Sequence, residues 1–239
     1  MPAKNSYKPY APDSFYHIYN RGVEKRDIFL NEMDYGVFLS YLKEYLLPKD
    51  KEVLLTIIGN PEAAPEIKAD ALKALRMNNF HGNITLTTYC LMPNHFHLLI
   101  HQNTANAIDI FMNSLATRYT MYFNRRYKRI GPLYQSVYKA VLIETDEQLL
   151  HLTRYIHRNP LDLASKGVAF KGSPELFAIQ PSSYPEYVGQ RKTAWVHPEE
   201  ILKFFSKTNP KLSYQSFVEH EDDHEDDMEM LQKITIDDN

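Results

Sequence analysis

The stretch that most constrains this chain is Met92-Pro93-Asn94-His95-Phe96-His97-Leu98-Leu99-Ile100. Residues 96–100 are β-prone and, His97 apart, apolar, and Met92-Pro93-Asn94 carries turn chemistry just ahead of them. Side chains alternate along a strand, so His95 and His97 share one face while Phe96 and Leu98 occupy the other. Two imidazoles so placed lie about 7 Å apart along the backbone, close enough to hold one metal ion. The H-x-H pair does not decide the matter by itself, because strand histidines also serve as packed or surface residues.

The neighbouring segments follow a strand and helix rhythm. Residues 15–20 alternate as a strand and stop at Arg21-Gly22. Residues 31–47 have apolar positions at 35, 38, 39, 42, 45 and 46, the spacing of a helix, which Pro48 ends. Residues 83–91 read as a second strand forming a hairpin with the histidine strand. Residues 105–127 carry a helical stripe of Ile108, Met112, Leu115, Tyr119, Tyr122 and Phe123, with Arg118, Arg125 and Arg126 off it. Residues 137–143 make a fourth strand. Thr145-Asp146-Glu147-Gln148 is a capping box opening a helix that Pro160 is expected to terminate.

This order predicts an α+β fold with a ferredoxin-like β-α-β-β-α-β core, an antiparallel sheet with helices on one face, and a further helix after the fourth strand. The core is expected over 13–165. Residues 48–83 read as an insertion, in which 54–58 suit strand or helix and 65–77 a short helix. Residues 166–218 form an extension expected to pack on the core, and 219–239 an acidic tail expected to be disordered.

Charge divides the chain. From Glu219 onward there are 10 acidic residues and one Lys, so the preceding 218 residues hold 26 basic against 20 acidic residues, a balance of +6. A basic body with an acidic tail suits a polyanionic partner. Cys90 is the only cysteine, which excludes an internal disulfide or a Cys-rich zinc site and points to a reducing cytoplasm. No apolar leader core and no 18-residue apolar run appear, so neither secretion nor membrane spanning is expected.

On the helix after Thr145, residues 148, 151, 155 and 159 share an i, i+4 stripe (Gln148, His151, Tyr155, Asn159), while Leu149, Leu152 and Ile156 form the stripe expected to face the sheet. Tyr155 and Asn159, laid near the H-x-H strand, would supply a nucleophile and a third metal donor. A phenol with pKa near 10 attacks a phosphodiester poorly unless the phosphate is polarised, which a divalent ion with open positions achieves. Taken singly, Tyr155 also suits a packing residue and Asn159 a helix-end residue before Pro160.

Four segments together, Tyr16-His17-Ile18-Tyr19-Asn20-Arg21-Gly22, residues 92–99, Gly131-Pro132-Leu133-Tyr134-Gln135 and Arg154-Tyr155-Ile156-His157-Arg158-Asn159-Pro160, resemble the single-tyrosine HUH transposases. More narrowly they resemble the IS200-like, REP-associated tyrosine transposase branch. The resemblance spans about 15–160, and the surroundings of Ser182-Ser183-Tyr184 and Trp195 resemble that branch's C-terminal extension. It implies a DNA transposase or endonuclease that nicks and rejoins single-stranded DNA beside hairpins of the REP-palindrome kind, through a 5′-phosphotyrosine. Tyr155 would be the nucleophile, with His95, His97 and Asn159 as ligands of Mg²⁺ or Mn²⁺ and His157 a further participant off the Tyr155 face.

Arg21, Arg118, Arg125, Arg126, Arg129, Arg154 and Arg158 would contact DNA phosphates. The same resemblance implies a cytoplasmic, nucleoid-associated monomer rather than a dimer with exchanged tyrosine helices. The longer insertion and the acidic tail depart from the family's pattern. A hairpin-binding regulatory protein that does not cut, and a metal-dependent hydrolase using water with Tyr155 structural, are the alternatives.

Overall fold

The computed structural model describes residues 10–165 and 181–219, the side chains of 161–165 excepted. The acidic stretch after Glu219 lies outside the described residues. Four strands, β1 (Ser14–Arg21), β2 (Ile84–Met92), β3 (His95–Gln102) and β4 (Lys139–Leu142), form one antiparallel sheet in the order β2-β3-β1-β4. The protein is thus α+β, with a β-α-β-β-α-β progression in which β1 lies between β3 and β4.

Helices α1 (Glu32–Leu46) and α4 (Ala107–Arg126; α2 and α3 follow below) cover one face. Asn31 caps α1 by accepting from the Met33 N–H at 3.1 Å. Phe38 and Leu42 of α1 and Ile108, Phe111, Met112, Leu115 and Tyr119 of α4 bury against Ile18, Phe96, Leu98 and Ile100 of the sheet. β2 changes parity on the way. A bulge between Leu86 and Thr88 puts Ile84 and Leu86, then Tyr89 and Leu91, on this same face.

The further helix, α5 (Asp146–Ser165), lies on the opposite face of the sheet from α1 and α4, where Leu149, Leu152 and Ile156 bury against Cys90, Met92 and Leu99 as their stripe predicts. One expectation about it is corrected: Pro160 does not end it, since the helix runs on to Ser165 with Pro160 inside. Proline there removes one intrahelical N–H, a cost of about 3 kcal/mol, set against apolar anchors worth about 1.5–3 kcal/mol each. At the other end Thr145 caps the helix: the Gln148 N–H donates to Thr145 Oγ1 at 3.1 Å, while Gln148 Oε1 reaches one residue past the cap to accept from the Glu144 N–H at 3.0 Å.

The insertion resolves into two helices, α2 (Lys51–Gly59), capped by Asp50, and α3 (Pro65–Arg76). Residues 54–58 are therefore helical. The fourth strand is shorter than 137–143, with Val137 exposed ahead of it.

Beyond residue 180 the chain returns to the sheet. Residues 181–183 lie along the free edge of β2, with the Leu91 N–H donating to the Pro181 carbonyl at 2.9 Å and the Ser183 N–H to the Tyr89 carbonyl at 3.0 Å. Short helices α6 (Tyr184–Tyr187), α7 (Glu199–Leu202) and α8 (Tyr214–Glu219) then bring Tyr184, Tyr187, Ile201, Tyr214 and Val218 onto the α5 side. No helix among the described residues is long and apolar enough to cross a membrane.

Candidate active site

The β2–β3 hairpin closes with a two-residue loop, Pro93-Asn94, because Met92 pairs with His95. That loop is tied down from outside. Asn94's carbonyl accepts the Gly22 N–H at 2.8 Å, and Pro93's carbonyl accepts from Ile28 and Phe29 at 2.8 and 3.0 Å. Gly22 is required at this crossing, since a Cβ would collide with the Arg26 carbonyl oxygen. The segment 131–135 runs alongside, with Val23 donating to the Leu133 carbonyl at 2.9 Å and Gln135 to the Arg21 carbonyl at 3.0 Å. Three of the four motif segments therefore meet at one end of the sheet.

His95 and His97 emerge on the α5 face, their ring centroids 4.9 Å apart and nearly perpendicular. His95 Nδ1 lies 2.6 Å from Asn94 Oδ1. His97 is fully buried, with Nδ1 2.9 Å from His17 Nε2. Its Nε2 is buried and has no hydrogen-bond partner among the described residues. Burial, reinforced by His95 and His17, holds the His97 imidazole neutral, well below the ordinary histidine range. A neutral imidazole with one unengaged nitrogen is the state a metal ligand requires.

α5 supplies the rest. The half-buried Tyr155 ring stands edge-on to His97 with centroids 5.5 Å apart. Asn159, one turn on and buried, donates from Nδ2 to the Tyr155 carbonyl at 2.9 Å, which leaves Oδ1 as its acceptor atom. Among the described residues no three His, Cys, Asp or Glu side chains form a metal-binding group. A divalent ion here would need a donor of another type, and an amide oxygen is one. The orphaned His97 Nε2 and this donor set fit such an ion.

His157 is turned away from Tyr155. It is fully buried, hydrogen-bonded to Tyr214 Oη at 2.7 Å and Ser183 Oγ at 2.8 Å, and burial lowers its pKa to about 3. It joins α5 to the C-terminal segment rather than to the site.

The seven arginines separate. Arg21 pairs with His95 across β1 and β3, and its Nε donates to Gln135 Oε1 at 3.3 Å, so it borders the site. Arg125 is exposed near the end of α4. Arg129 donates to Asn124 Oδ1 at 3.0 Å, and Arg126 lies 3.6 Å from the buried Asp34. Arg118 is committed to Glu44 at 2.7 Å and to the Tyr41 ring on the opposite, α1 face of the sheet. Arg154 is fully buried, with its guanidinium 5.2 Å from the Phe217 ring, and Arg158 donates to the Val218 carbonyl at 3.1 Å. The last two hold α8 against α5, a position that does not suit phosphate contact.

Sequence reasoning assigned no role to His17 or Lys139. Lys139 pairs with Tyr19 across β1 and β4, and its ammonium lies 5.7 Å from the Tyr19 ring centroid. That ring lies 6.1 Å from His97, so Lys139 adds a cation beside the site. The signal for both was strand parity, which needs the pairing register to be usable.

Residues 63–159 match the family model described as Transposase IS200 like. Over that stretch, about two fifths of the chain, the sequence is similar to the IS200-like transposases. The match contains His95, His97, Tyr155 and Asn159 and leaves β1 outside it. A solved structure described as a REP-associated tyrosine transposase bound to a REP hairpin is similar at 12% identity and a TM-score of 0.45, covering 82% of this chain and 98% of that one. No curated protein matches the chain.

Proposed function

We propose that this chain is an IS200-like transposase that nicks and rejoins single-stranded DNA beside hairpins through a covalent tyrosine intermediate. The observation that carries the reading is the approach of Tyr155 to His97, next to a buried ring nitrogen without a partner among the described residues. The strand order supports reading the core as ferredoxin-like. In the reaction, Tyr155 Oη attacks the scissile phosphorus and loses its proton. A 5′-phosphotyrosine bond forms as the bond to the 3′ oxygen breaks and a 3′-OH is released. Attack by a 3′-OH on the phosphotyrosine reverses the step and rejoins DNA, with the phenol regaining its proton.

His95, His97 and the Asn159 oxygen would hold Mg²⁺ or Mn²⁺, which when bound polarises the phosphate and stabilises the leaving oxygen. Arg21, Arg125, Arg129 and Lys139 would position the backbone by charge without reading sequence. The partner is single-stranded DNA with a hairpin.

A covalent protein–DNA adduct on a denaturing gel tests the reading. The wild-type protein should form it with hairpin-bearing single strands in Mn²⁺. Tyr155→Phe, or EDTA, should reduce it at least about 10³-fold, while Tyr155→Phe keeps DNA affinity within a few fold. Cleavage by the wild type without an adduct would assign water as the nucleophile. An adduct surviving in Tyr155→Phe would move the role to another tyrosine.

A further inference from the structure

His17 has no part in the reaction as written, yet it is fully buried against a proposed ligand. It sits on β1 facing the same side as His97, since Tyr19 pairs with His97 and His17 with Leu99. The two imidazoles stack at 5.1 Å with planes 16° apart, and His17 Nε2 lies 2.9 Å from His97 Nδ1. A hydrogen bond between two ring nitrogens needs one donor and one acceptor, and a neutral imidazole offers one of each.

Two arrangements satisfy that contact. If His17 donates, the proton of His97 sits on Nε2, where a buried N–H would face no acceptor among the described residues. If His97 donates from Nδ1, its Nε2 presents a lone pair instead. The neighbouring ligand shows which pattern the site uses. Asn94 Nδ2 donates to the Lys25 carbonyl at 3.2 Å, which orients the amide, and its Oδ1 faces His95 Nδ1 at 2.6 Å. An amide oxygen only accepts, so His95 carries its proton on Nδ1. The same tautomer at His97 would give the pair two ligating Nε2 atoms.

We propose that His17 is a positioning residue: it accepts the Nδ1 proton of His97 and so holds the Nε2 lone pair toward the divalent ion. His17 then bears its own proton on Nδ1. The assignment deepens the metal reading of His95, His97 and Asn159 and rests on it. Outer-shell partners of this kind fix both ring orientation and tautomer, and their loss commonly weakens metal affinity 10–100-fold.

Two measurements on the full chain test it, and neither needs turnover. Two-bond ¹⁵N–¹H correlation spectra of histidine-labelled, metal-free protein should place the His97 proton on Nδ1; a proton on Nε2 overturns the proposal. Mn²⁺ affinity, read by electron paramagnetic resonance, should fall about 10–100-fold in His17→Phe, which keeps a stacked ring but no acceptor. His17→Gln, whose amide oxygen can accept, should stay within about threefold of wild type. Wild-type affinity in His17→Phe, or equal losses in both variants, would reduce His17 to a packing residue and overturn the assignment. A wild-type protein that binds no Mn²⁺ overturns the metal reading instead, and the position of the His97 proton then decides His17 alone. If His17→Phe does not fold, the wild-type spectrum and the Gln variant carry the decision.

Discussion

At the scale of single residues, the face shared by His95 and His97 was legible because it follows from strand parity. Their surroundings were not. His17 becomes a neighbour of His97 only through the register of β1 on β3, and Lys139 through that of β1 on β4. The arginines mislead in the opposite direction: Arg154 flanks Tyr155 in sequence, yet helical geometry turns it away and buries it. The tyrosines show a comparable division. Tyr89, Tyr119, Tyr134 and Tyr187 are buried, and desolvation raises the pKa of each phenol above the usual value of 10. A phenol whose folded pKa is raised stays protonated where the unfolded chain ionises. Its contribution to stability is therefore complete below pH 10 and lost above it, by about 1.4 kcal/mol per pH unit for each group. In an alkaline titration, the tyrosinate absorbance of these residues should appear with the loss of circular dichroism, in one step. Absorbance for all 17 tyrosines developing near pH 10 in a folded protein would contradict that burial.

At the scale of elements, periodicity located β1, α1, the β2–β3 hairpin and α4 to within a few residues, because the strands read as β-prone apolar runs bounded by turn residues and the helices as apolar stripes. It failed at α5. A proline was read as a stop, but the helix carries three apolar anchors against the sheet and continues through it. The second layer over β2 was also hidden, since α6, α7 and α8 are too short to show a period. Their weight in the fold is large. Tyr184, Tyr187, Ile201, Tyr214 and Val218 are all buried, at about 1.5–3 kcal/mol each, which together rivals the net stability of about 5–15 kcal/mol for a whole domain. Residues 181–183 also cover the β2 edge, and His157 loses both hydrogen-bond partners without Ser183 and Tyr214. A chain ending at residue 180 should therefore lose its cooperative thermal transition or melt more than 10 °C lower, since a loss of about 5 kcal/mol moves Tm by about 10–20 °C in a domain of 150–250 residues. Calorimetry of the two lengths checks this, and equal melting temperatures would make the C-terminal segment dispensable to the core.

At the scale of the molecule, the parts of the site come from elements that need not belong to one chain: the histidines from β3, the nucleophile from α5. In this structure Tyr155 stands 5.5 Å from His97 of its own chain. α5 is pinned there by Leu149, Leu152 and Ile156 and, from outside, by the C-terminal helices that Arg154 and Arg158 engage. Moving α5 to a second copy would require giving up that buried layer, which argues for a monomer with a complete site. Complementation distinguishes the two cases. Tyr155→Phe retains the histidines and His95→Ala retains the tyrosine, so a site shared between copies would recover cleavage when the two inactive proteins are mixed. A site built within one chain recovers none, because no molecule holds both halves. We expect the mixture to form no more DNA adduct than the sum of its parts at any ratio, with light scattering giving the mass of a single chain. Adduct formation that peaks near equal amounts of the two variants would transfer α5 to a partner and require the C-terminal layer to open.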